Sequence, residues 1–212
     1  MSQLHNVFPL MICLFAFAFC TPPTQYSFPS FQGEVVKHFG NEVSHFGYIY
    51  SDKSNQRLRY DMTANKGHTV SIFDFKQNTS YVLFFYSDFE IGSCQYGPIY
   101  ENTPNYFTTN LIDGAKYQGL VHIYDSDQFL IGRNYSNANF LPLYGFPKYH
   151  LVFDPYTQLP ISADPLDYDE HWVGFHFVFK NLRSLDMGLA DKVFNWRELV
   201  GEIKCWGFNS RK

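Results

Sequence analysis

The sequence predicts a mainly β protein, in which a curved antiparallel sheet forms an incomplete barrel with a hydrophobic concave face and carries one or two short helices. Aromatic residues make up 20% of the 212 residues, and aromatic side chains favour strands. Strand-like runs recur about every ten residues with turn residues between them, and helical periodicity is scarce. Because only 17% of residues are charged and the formal net charge is -4, intrinsic disorder and nucleic-acid binding are excluded.

The first twenty residues are predicted to be a secretory signal peptide, which leaves residues 21–212 as a single domain. Val7 to Phe19 is an uncharged apolar run of 13 residues, shorter than the roughly 20 residues that span a bilayer. The run ends in a small-x-small pattern at Ala16-Phe17-Ala18, which is typical of a cleavage site. An uncleaved membrane anchor is the alternative. The expected location is extracellular or lysosomal, without a stable membrane span.

Five strand-like runs open the predicted domain as an antiparallel meander. The run at 56–62 alternates cleanly, with Arg57 and Arg59 on one face and Tyr60 on the other. The run at 80–86 is apolar on both faces, as expected of a strand buried on both sides. The five predicted strands are 32–39, 43–50, 56–62, 68–75 and 80–86.

The second half of the domain begins with a predicted loop or crossover at 92–109, which contains Cys94 and two prolines. Two hairpins and a further buried strand follow it. Only 189–200 resembles a helix. The predicted strands of this half are 117–124, 128–135, 148–153, 158–163 and 171–179.

Two cysteines remain in the mature chain, since Cys13 lies in the predicted signal and Cys20 at its edge. In an oxidising compartment, Cys94 and Cys205 are expected to form a disulfide. Two N-x-S/T sequons, at Asn78 and Asn134, are candidate glycosylation sites.

The sequence contains no recognised catalytic motif, neither a G-x-S-x-G elbow nor H-E-x-x-H nor a phosphate-binding glycine pattern. A secreted hydrolase with a dispersed triad, for which Ser93, His122 and Asp125 are available, stays open as a rival without support from spacing. His38 and His45 lie on neighbouring predicted strands and can face each other, but no third metal ligand is evident. No metal site is therefore expected.

An acidic stretch formed by Asp164, Asp167, Asp169 and Glu170 offers hard oxygen ligands for calcium. It lacks the spacing and the glycine of an EF-hand, so a solvated loop is the favoured interpretation. No cofactor is expected, and calcium stays an open alternative.

The aromatic side chains suggest a cavity for an apolar ligand, because they exceed what a core of this size needs. Plain core packing is the alternative for about half of them. Arg57 and Arg59 are candidates for contacts with an anionic headgroup, with a solvated strand face as the alternative. The candidate pocket residues are Phe84, Tyr86, Phe129, Phe153, Trp172, Phe175, Phe177 and Phe179.

Several short motifs resemble ependymin-related proteins and the wider lipoprotein-carrier (LolA-like) group. The first half is similar to ependymins in Gly47-Tyr48-Ile49-Tyr50, in Asn55 to Asp61, and in Ser80-Tyr81 followed by Cys94. Asp154 to Ile161 resembles the D-x-x-T-x-L-P hairpin of the LolA-like group, and Cys205 resembles a terminal cysteine of secreted members. The resemblance spans residues 31–205.

The resemblance implies a secreted or lysosomal glycoprotein that is not an enzyme and that binds a lipid or another apolar ligand on the concave face of a curved sheet. Some members bind calcium. The chain departs from ependymins in having two mature cysteines where those usually have four. An extracellular structural or adhesive module is the main alternative, and the oligomeric state stays open.

Overall fold

The computed structural model describes residues 22–39, 42–64, 67–86, 91–99, 103–125, 128–139, 148–165, 175–201 and 204–207. Two short helices follow the last long strand, α1 at Met187–Val193 and α2 at Trp196–Val200. Among the described residues, no helix is both long and apolar enough to cross a membrane. The strands of this part of the chain are β1 Phe31–Phe39, β2 Glu42–Asp52, β3 Arg57–Ala64, β4 Gly67–Asp74, β5 Thr79–Phe85, β6 Ile91–Pro98, β7 Lys116–Asp125, β8 Gln128–Ala138, β9 Tyr149–Phe153, β10 Pro160–Pro165, β11 Phe175–Arg183 and β12 Trp206–Gly207.

All of these strands belong to one sheet, in the order β12-β6-β5-β4-β3-β2-β1-β11-β10-β9-β8-β7. Neighbours are antiparallel except β12 and β6, which pair in parallel. The sheet is not closed into a barrel. The predicted fold class is therefore confirmed, and so are the five-stranded meander and the two later hairpins.

One prediction about the second half is wrong. Part of the predicted loop at 92–109 is strand β6, which pairs along its length with β5; its polar residues are tolerated because only two residues of β12 cover its outer edge. Pro98 occupies the last position of the strand, where the lost N–H matters least. The predicted helical segment at 189–200 is confirmed, as two helices that are separated at Phe194 and Asn195.

One face of the sheet, here called the inner face, is almost entirely buried. It carries Leu58 and Tyr60 of β3 together with Phe177 and Phe179 of β11, none of them more than 4% exposed. These residues belong to one cluster that joins both halves of the sheet. The residues that alternate with them, such as Arg59, lie on the opposite, outer face.

The sheet curls toward the inner face. β3 and β9 are five strand spacings apart, which corresponds to about 24 Å in a flat sheet. Burial raises the pKa of Tyr60 on β3 well above its usual range, and the nearby hydroxyl of Tyr149 on β9 raises it further. Two side chains so far apart in strand order can interact only if the sheet is curved, so the inner face is the concave one.

Two irregular segments, residues 22–30 and 103–115, lie against the inner face and are called the cover segments. The backbone N–H of Leu111 donates to the Tyr26 carbonyl over 2.8 Å, and the side-chain oxygen of Asn110 accepts from the Tyr26 N–H over 2.9 Å. The two segments therefore support each other as well as the sheet.

Aromatic rings fill the space between the cover segments and the sheet. Tyr26 stacks on Phe153 with 4.1 Å between ring centroids, and Phe153 stacks in turn on Tyr135 at 5.4 Å. Phe28 stacks on Tyr106 within the cover, also at 5.4 Å. Much of the aromatic excess is thus core packing on the concave face.

Helices α1 and α2 cover the outer face over β4, β5 and β6. Phe194 and Val200 are buried there in one cluster with Leu83 of β5 and Cys94 of β6. Cys94 is bonded to Cys205 across 111 residues of sequence, which confirms the expected disulfide and ties the chain beyond α2 to the sheet.

The buried tyrosines differ in whether the side-chain hydroxyl forms a hydrogen bond. Tyr135 donates to the Pro23 carbonyl over 3.0 Å. In contrast, the hydroxyls of Tyr26, Tyr60 and Tyr106 are buried without a hydrogen-bond partner among the described residues. A buried polar group without a partner costs about 1–3 kcal/mol.

This difference predicts opposite effects of two matched substitutions. Tyr135→Phe should lower the free energy of unfolding by about 1 kcal/mol, because a hydrogen bond is lost. Tyr106→Phe should leave it unchanged or raise it, because only an unbonded hydroxyl is removed. Urea denaturation of both variants measures the effect. An equal destabilisation by the two changes would mean that the Tyr106 hydroxyl has a partner in solution.

Reduction of the disulfide should destabilise the chain, because the bond closes a loop of more than a hundred residues. We expect a loss on the order of 4 kcal/mol in the free energy of unfolding. Urea denaturation with and without reductant measures it, and the double variant Cys94→Ala with Cys205→Ala serves as the control that should not respond to reductant. A reduced wild type as stable as the oxidised protein would contradict this prediction.

Candidate functional site

The two arginines predicted to contact a headgroup lie on the outer face beneath the helices. Arg59 donates to both carboxylate oxygens of Asp61 over 2.6 Å and also donates to the carbonyl of Val193 at the end of α1. Its guanidinium group lies over the ring of Tyr50. Arg59 and Asp61 are both less than 10% exposed, so this ion pair lies inside the protein.

Arg57 makes a second ion pair of the same kind. It donates to Asp52 over 2.8 Å and to Asp191 of α1 over 3.1 Å, and its guanidinium group lies 4.7 Å from the ring centre of Phe194. Although burial raises the pKa of Asp52, hydrogen bonds from Arg57 and Asn55 hold it below its ordinary value. Both arginines fasten α1 to the sheet, and their role toward a headgroup stays a prediction.

Removing one partner of the Arg59–Asp61 ion pair should destabilise the protein. Arg59→Ala should lower the free energy of unfolding by about 3 kcal/mol, because the Asp61 carboxylate is left buried without its cation. Asp61→Ala should cost a similar amount, and the double variant should cost clearly less than the sum. Urea denaturation of the three variants measures this coupling. Additive losses would show that the two side chains do not stabilise each other.

The predicted pocket aromatics fall into two groups in the structure. Phe153, Phe177 and Phe179 are buried in the inner-face cluster beneath the cover segments. Phe84 and Tyr86 lie at the far end of β5 and are 42% and 63% exposed. The structure does not bring the two groups into one cavity among the described residues, and ligand contact by either group stays a prediction.

For three further pocket candidates, the whole residue or its side chain lies outside the part of the chain that the structure describes. Trp172 lies outside the described residues, as do the side chains of Phe129 and Phe175, whose backbones belong to β8 and β11. Three members of the acidic stretch, Asp167, Asp169 and Glu170, also lie outside them.

The two sequons differ in accessibility. Asn78 is exposed in the turn between β4 and β5. Asn134 lies inside β8, and its side-chain oxygen is buried without a partner among the described residues. A glycan can attach more easily to Asn78 than to Asn134, and both assignments stay predictions.

The residues named for a dispersed hydrolase triad do not come together. Ser93 lies on β6 and His122 on β7, near opposite ends of the sheet. The predicted facing of His38 and His45 is also wrong, because a register shift pairs His38 with Val43 instead. The part of the chain that the structure describes contains no group of three or more side chains able to hold a metal ion.

A different site is formed by the outer part of the β7–β8 hairpin. β8 pairs with β9 over residues 133–138, so the distal half of the hairpin extends beyond this neighbour. The distal half, residues 119–125 and 128–132, is called the arm. The arm bends back over the outer face, because side chains from β7 and from β1 line the same cavity although these strands are five spacings apart.

Two glycines allow the arm to bend and to pass close to the sheet. A Cβ on Gly132 would lie 2.2 Å from the Val152 side chain, so only glycine lets β8 cross so close to β9. Gly119 has a φ of 107° and lies at the register shift between β7 and β8, where a bulge bends the strand.

The cavity between the arm and the sheet, here called the arm cleft, has a volume of about 520 Å³. Val121 and Ile123 form its wall on the arm, and Val152 and Val178 form the wall on the sheet. This volume lies in the range of about 300–1,000 Å³ that is typical of small-molecule sites. The cleft is therefore a two-sided aliphatic cavity.

A few polar groups converge on the same cleft. His38 of β1 and His176 of β11 stack with 4.5 Å between ring centroids, and Ser162, Asp164 and Lys180 complete the polar lining. Burial raises the pKa of Asp164 to about 6 and lowers the pKa of His176. Near neutral pH the cleft therefore holds a carboxylate beside a neutral imidazole.

A second cavity on the outer face is larger but has no aliphatic walls facing each other. It measures about 600 Å³ and is lined mainly by charged, amide and tyrosine side chains, among them Glu34, Tyr48 and Arg183, with Leu182 as the one aliphatic side chain in this lining. The arm cleft is therefore the better candidate for a site that binds an apolar molecule.

The sequence carried two signals for the arm cleft. Strand β7 has apolar residues on both faces at Leu120 and Val121, and Gly132 lies inside a strand pattern, where glycine often marks a close approach of backbone. Neither signal specifies which strand the hairpin crosses, because that depends on the order of strands in the sheet.

Comparisons with known proteins give only distant likenesses. No family model and no curated protein matches the sequence. Among solved structures, a crystal structure of MucB in complex with MucA(peri) has a TM-score of 0.37 and 13% sequence identity. The match covers 75% of this chain and 52% of that chain, so this chain spans about half the length of that structure. A putative outer membrane lipoprotein-sorting protein domain from Vibrio parahaemolyticus has a TM-score of 0.26 and 12% identity, with 90% of this chain and 97% of that chain covered. Both TM-scores lie below 0.5, and neither structure carries fold or function over to this chain.

Proposed function

We propose that this protein binds a lipid or another apolar ligand without catalysis, and that the ligand lies in the arm cleft. The observation that carries the proposal is the cleft itself, with aliphatic side chains on two facing walls and a few polar groups in the same lining. An alkyl chain gains about 0.8 kcal/mol for each methylene that leaves water. Ten buried methylenes would give about 8 kcal/mol before the cost of association is subtracted.

The concave aromatic wall is the less favourable place for the same ligand. Phe153, Phe177 and Phe179 are already covered by the chain's own segments, so a ligand would have to displace residues 22–30 and 103–115. That displacement would break the backbone hydrogen bonds between the segments and the stacking of Tyr26 on Phe153. The arm cleft needs no such opening.

The proposed setting is an extracellular or luminal one. The Cys94–Cys205 disulfide supports it, because disulfides persist mainly in oxidising compartments. Within that setting, exposed Asn78 is the proposed glycosylation site. Mass measurement of the protein secreted from eukaryotic cells, before and after treatment with a glycosidase, tests it.

An extracellular interaction module is the second candidate function. It is favoured by a strip on the outer face of β2, where Val43, Phe46 and Tyr48 are each more than 40% exposed. Phe46 and Tyr48 contact each other edge to face with 5.8 Å between ring centroids. Such a strip suits a protein contact better than a small ligand.

Filling the cleft tests the proposed function. Val121→Trp places an indole in the cleft and should weaken binding of the neutral fluorescent probe N-phenyl-1-naphthylamine by roughly tenfold or more, which corresponds to about 1.4 kcal/mol. Leu120→Trp is the matched control, because Leu120 is the adjacent residue of β7, is 56% exposed and does not line the cleft. Fluorescence titration of both variants and the wild type measures the affinities.

The outcomes separate the alternatives. Weaker binding in Val121→Trp alone, with unchanged unfolding midpoints in both variants, supports the cleft. Equal binding in all three proteins would place the ligand elsewhere. A wild type that does not bind the probe at all would contradict the proposed function and favour the interaction module.

A further inference from the structure

The Asp164 carboxylate is the unusual group of the arm cleft. It lies on β10 opposite His150 of β9 and lines the cavity. None of the hydrogen bonds or ion pairs found among the described residues involves this carboxylate, and the electrostatic interaction with His150 lowers its pKa less than burial raises it. A carboxylate in such a place is stabilised when a donor or a cation reaches it.

The other charged group of the cleft does not take this role. Lys180 lines the same cavity, but in the strand register it lies opposite the carboxylate-bearing Glu34 of β1, and it already has an interaction partner. The described groups that face Asp164 are therefore His150 from β9, His176 and Lys180 from β11, and His38 from β1. From the arm, Val121 and Ile123 add no charge.

We propose that the arm cleft binds an amphiphile with an alkyl body and a primary ammonium head, with Asp164 as the counter-ion of the head. This inference rests on the proposed function and names the class of its ligand. The alkyl body lies between the aliphatic walls, and the ammonium group donates hydrogen bonds to the Asp164 carboxylate, with the Ser162 hydroxyl close by as a further acceptor. An anionic head would instead meet a carboxylate of the same sign.

The affinity for such a head should depend on pH. Because burial raises the pKa of Asp164 to about 6, the carboxylate is largely ionised at pH 7.5 and largely protonated at pH 4.5. The preference for an ammonium head should therefore be present above the Asp164 pKa and be lost as the pH falls through it.

Competition between three ligands of equal chain length tests the proposal. Decylammonium, decanol and decanoate each displace N-phenyl-1-naphthylamine from the wild type, and at pH 7.5 decylammonium should compete at least roughly tenfold better than decanoate, as expected for one hydrogen-bonded charge contact. Asp164→Asn should remove this difference between the two ligands. Asp113→Asn, an exposed aspartate outside the cleft, is the control that should behave as the wild type.

A second readout does not depend on a ligand. Because the pKa of Asp164 is higher in the folded chain than in the unfolded chain, the folded state binds more protons between the two values, and stability falls as pH rises through this window. Asp164→Asn should therefore stabilise the protein more at pH 7.5 than at pH 4. An equal effect at both pH values would contradict the partly buried carboxylate with a raised pKa on which the proposal depends.

The outcomes distinguish this inference from the proposed function. If the wild type binds the neutral probe and the three decyl ligands displace it equally, the cleft binds apolar molecules and only the ammonium head is wrong. If Asp164→Asn keeps the preference for decylammonium, Asp164 is not the counter-ion. If the wild type binds neither the probe nor the ligands, both proposals fail.

Discussion

The constraint on which this structure depends is that a large open sheet has two apolar faces and both must be covered. Tyr60 and Phe179 require a cover on the inner face, while Leu83 and Val178 require one on the outer face. In α/β proteins helices cover both faces of a sheet, but this chain has only two short helices in the described residues. It therefore covers its sheet with several small elements instead.

Each of these elements has its own attachment. The cover segments are held on the inner face by backbone hydrogen bonds and by the stacking of Tyr26 on Phe153. The helices are held on the outer face by Arg57, Arg59 and the disulfide. The arm passes close to the sheet at Gly132 and Val152, while Val121 and Ile123 stand across a cavity from it. Because a cavity remains between the arm and the sheet, a ligand in that cavity can bury apolar side chains that the chain itself leaves uncovered.

The strands and turns could be predicted from nearby residues in the sequence, whereas the elements that cover the strands could not. The turn at Asp154 was readable because its carboxylate accepts from the N–H groups of Tyr156 and Thr157, a contact within a few residues of sequence. Strand β6 was missed because its pairing with β5 comes from tertiary context rather than from apolar alternation. Arg57 and Arg59 were correctly placed on one face, but the helix that covers them is more than a hundred residues away in sequence. Phe153 was predicted as a pocket residue because an aromatic in a strand looks the same whether a ligand or the chain itself covers it.

The central claim is that an apolar ligand enters the arm cleft rather than the concave core. Methyl NMR spectra of the folded protein, recorded while decylammonium is added at pH 7.5, test it most directly. The account predicts shift changes at the methyl groups of Val121, Ile123, Val152 and Val178, and unchanged signals from Leu58 and Leu151 on the inner face. Changes confined to the inner-face methyl groups would contradict it and return the ligand to the aromatic wall beneath the cover segments.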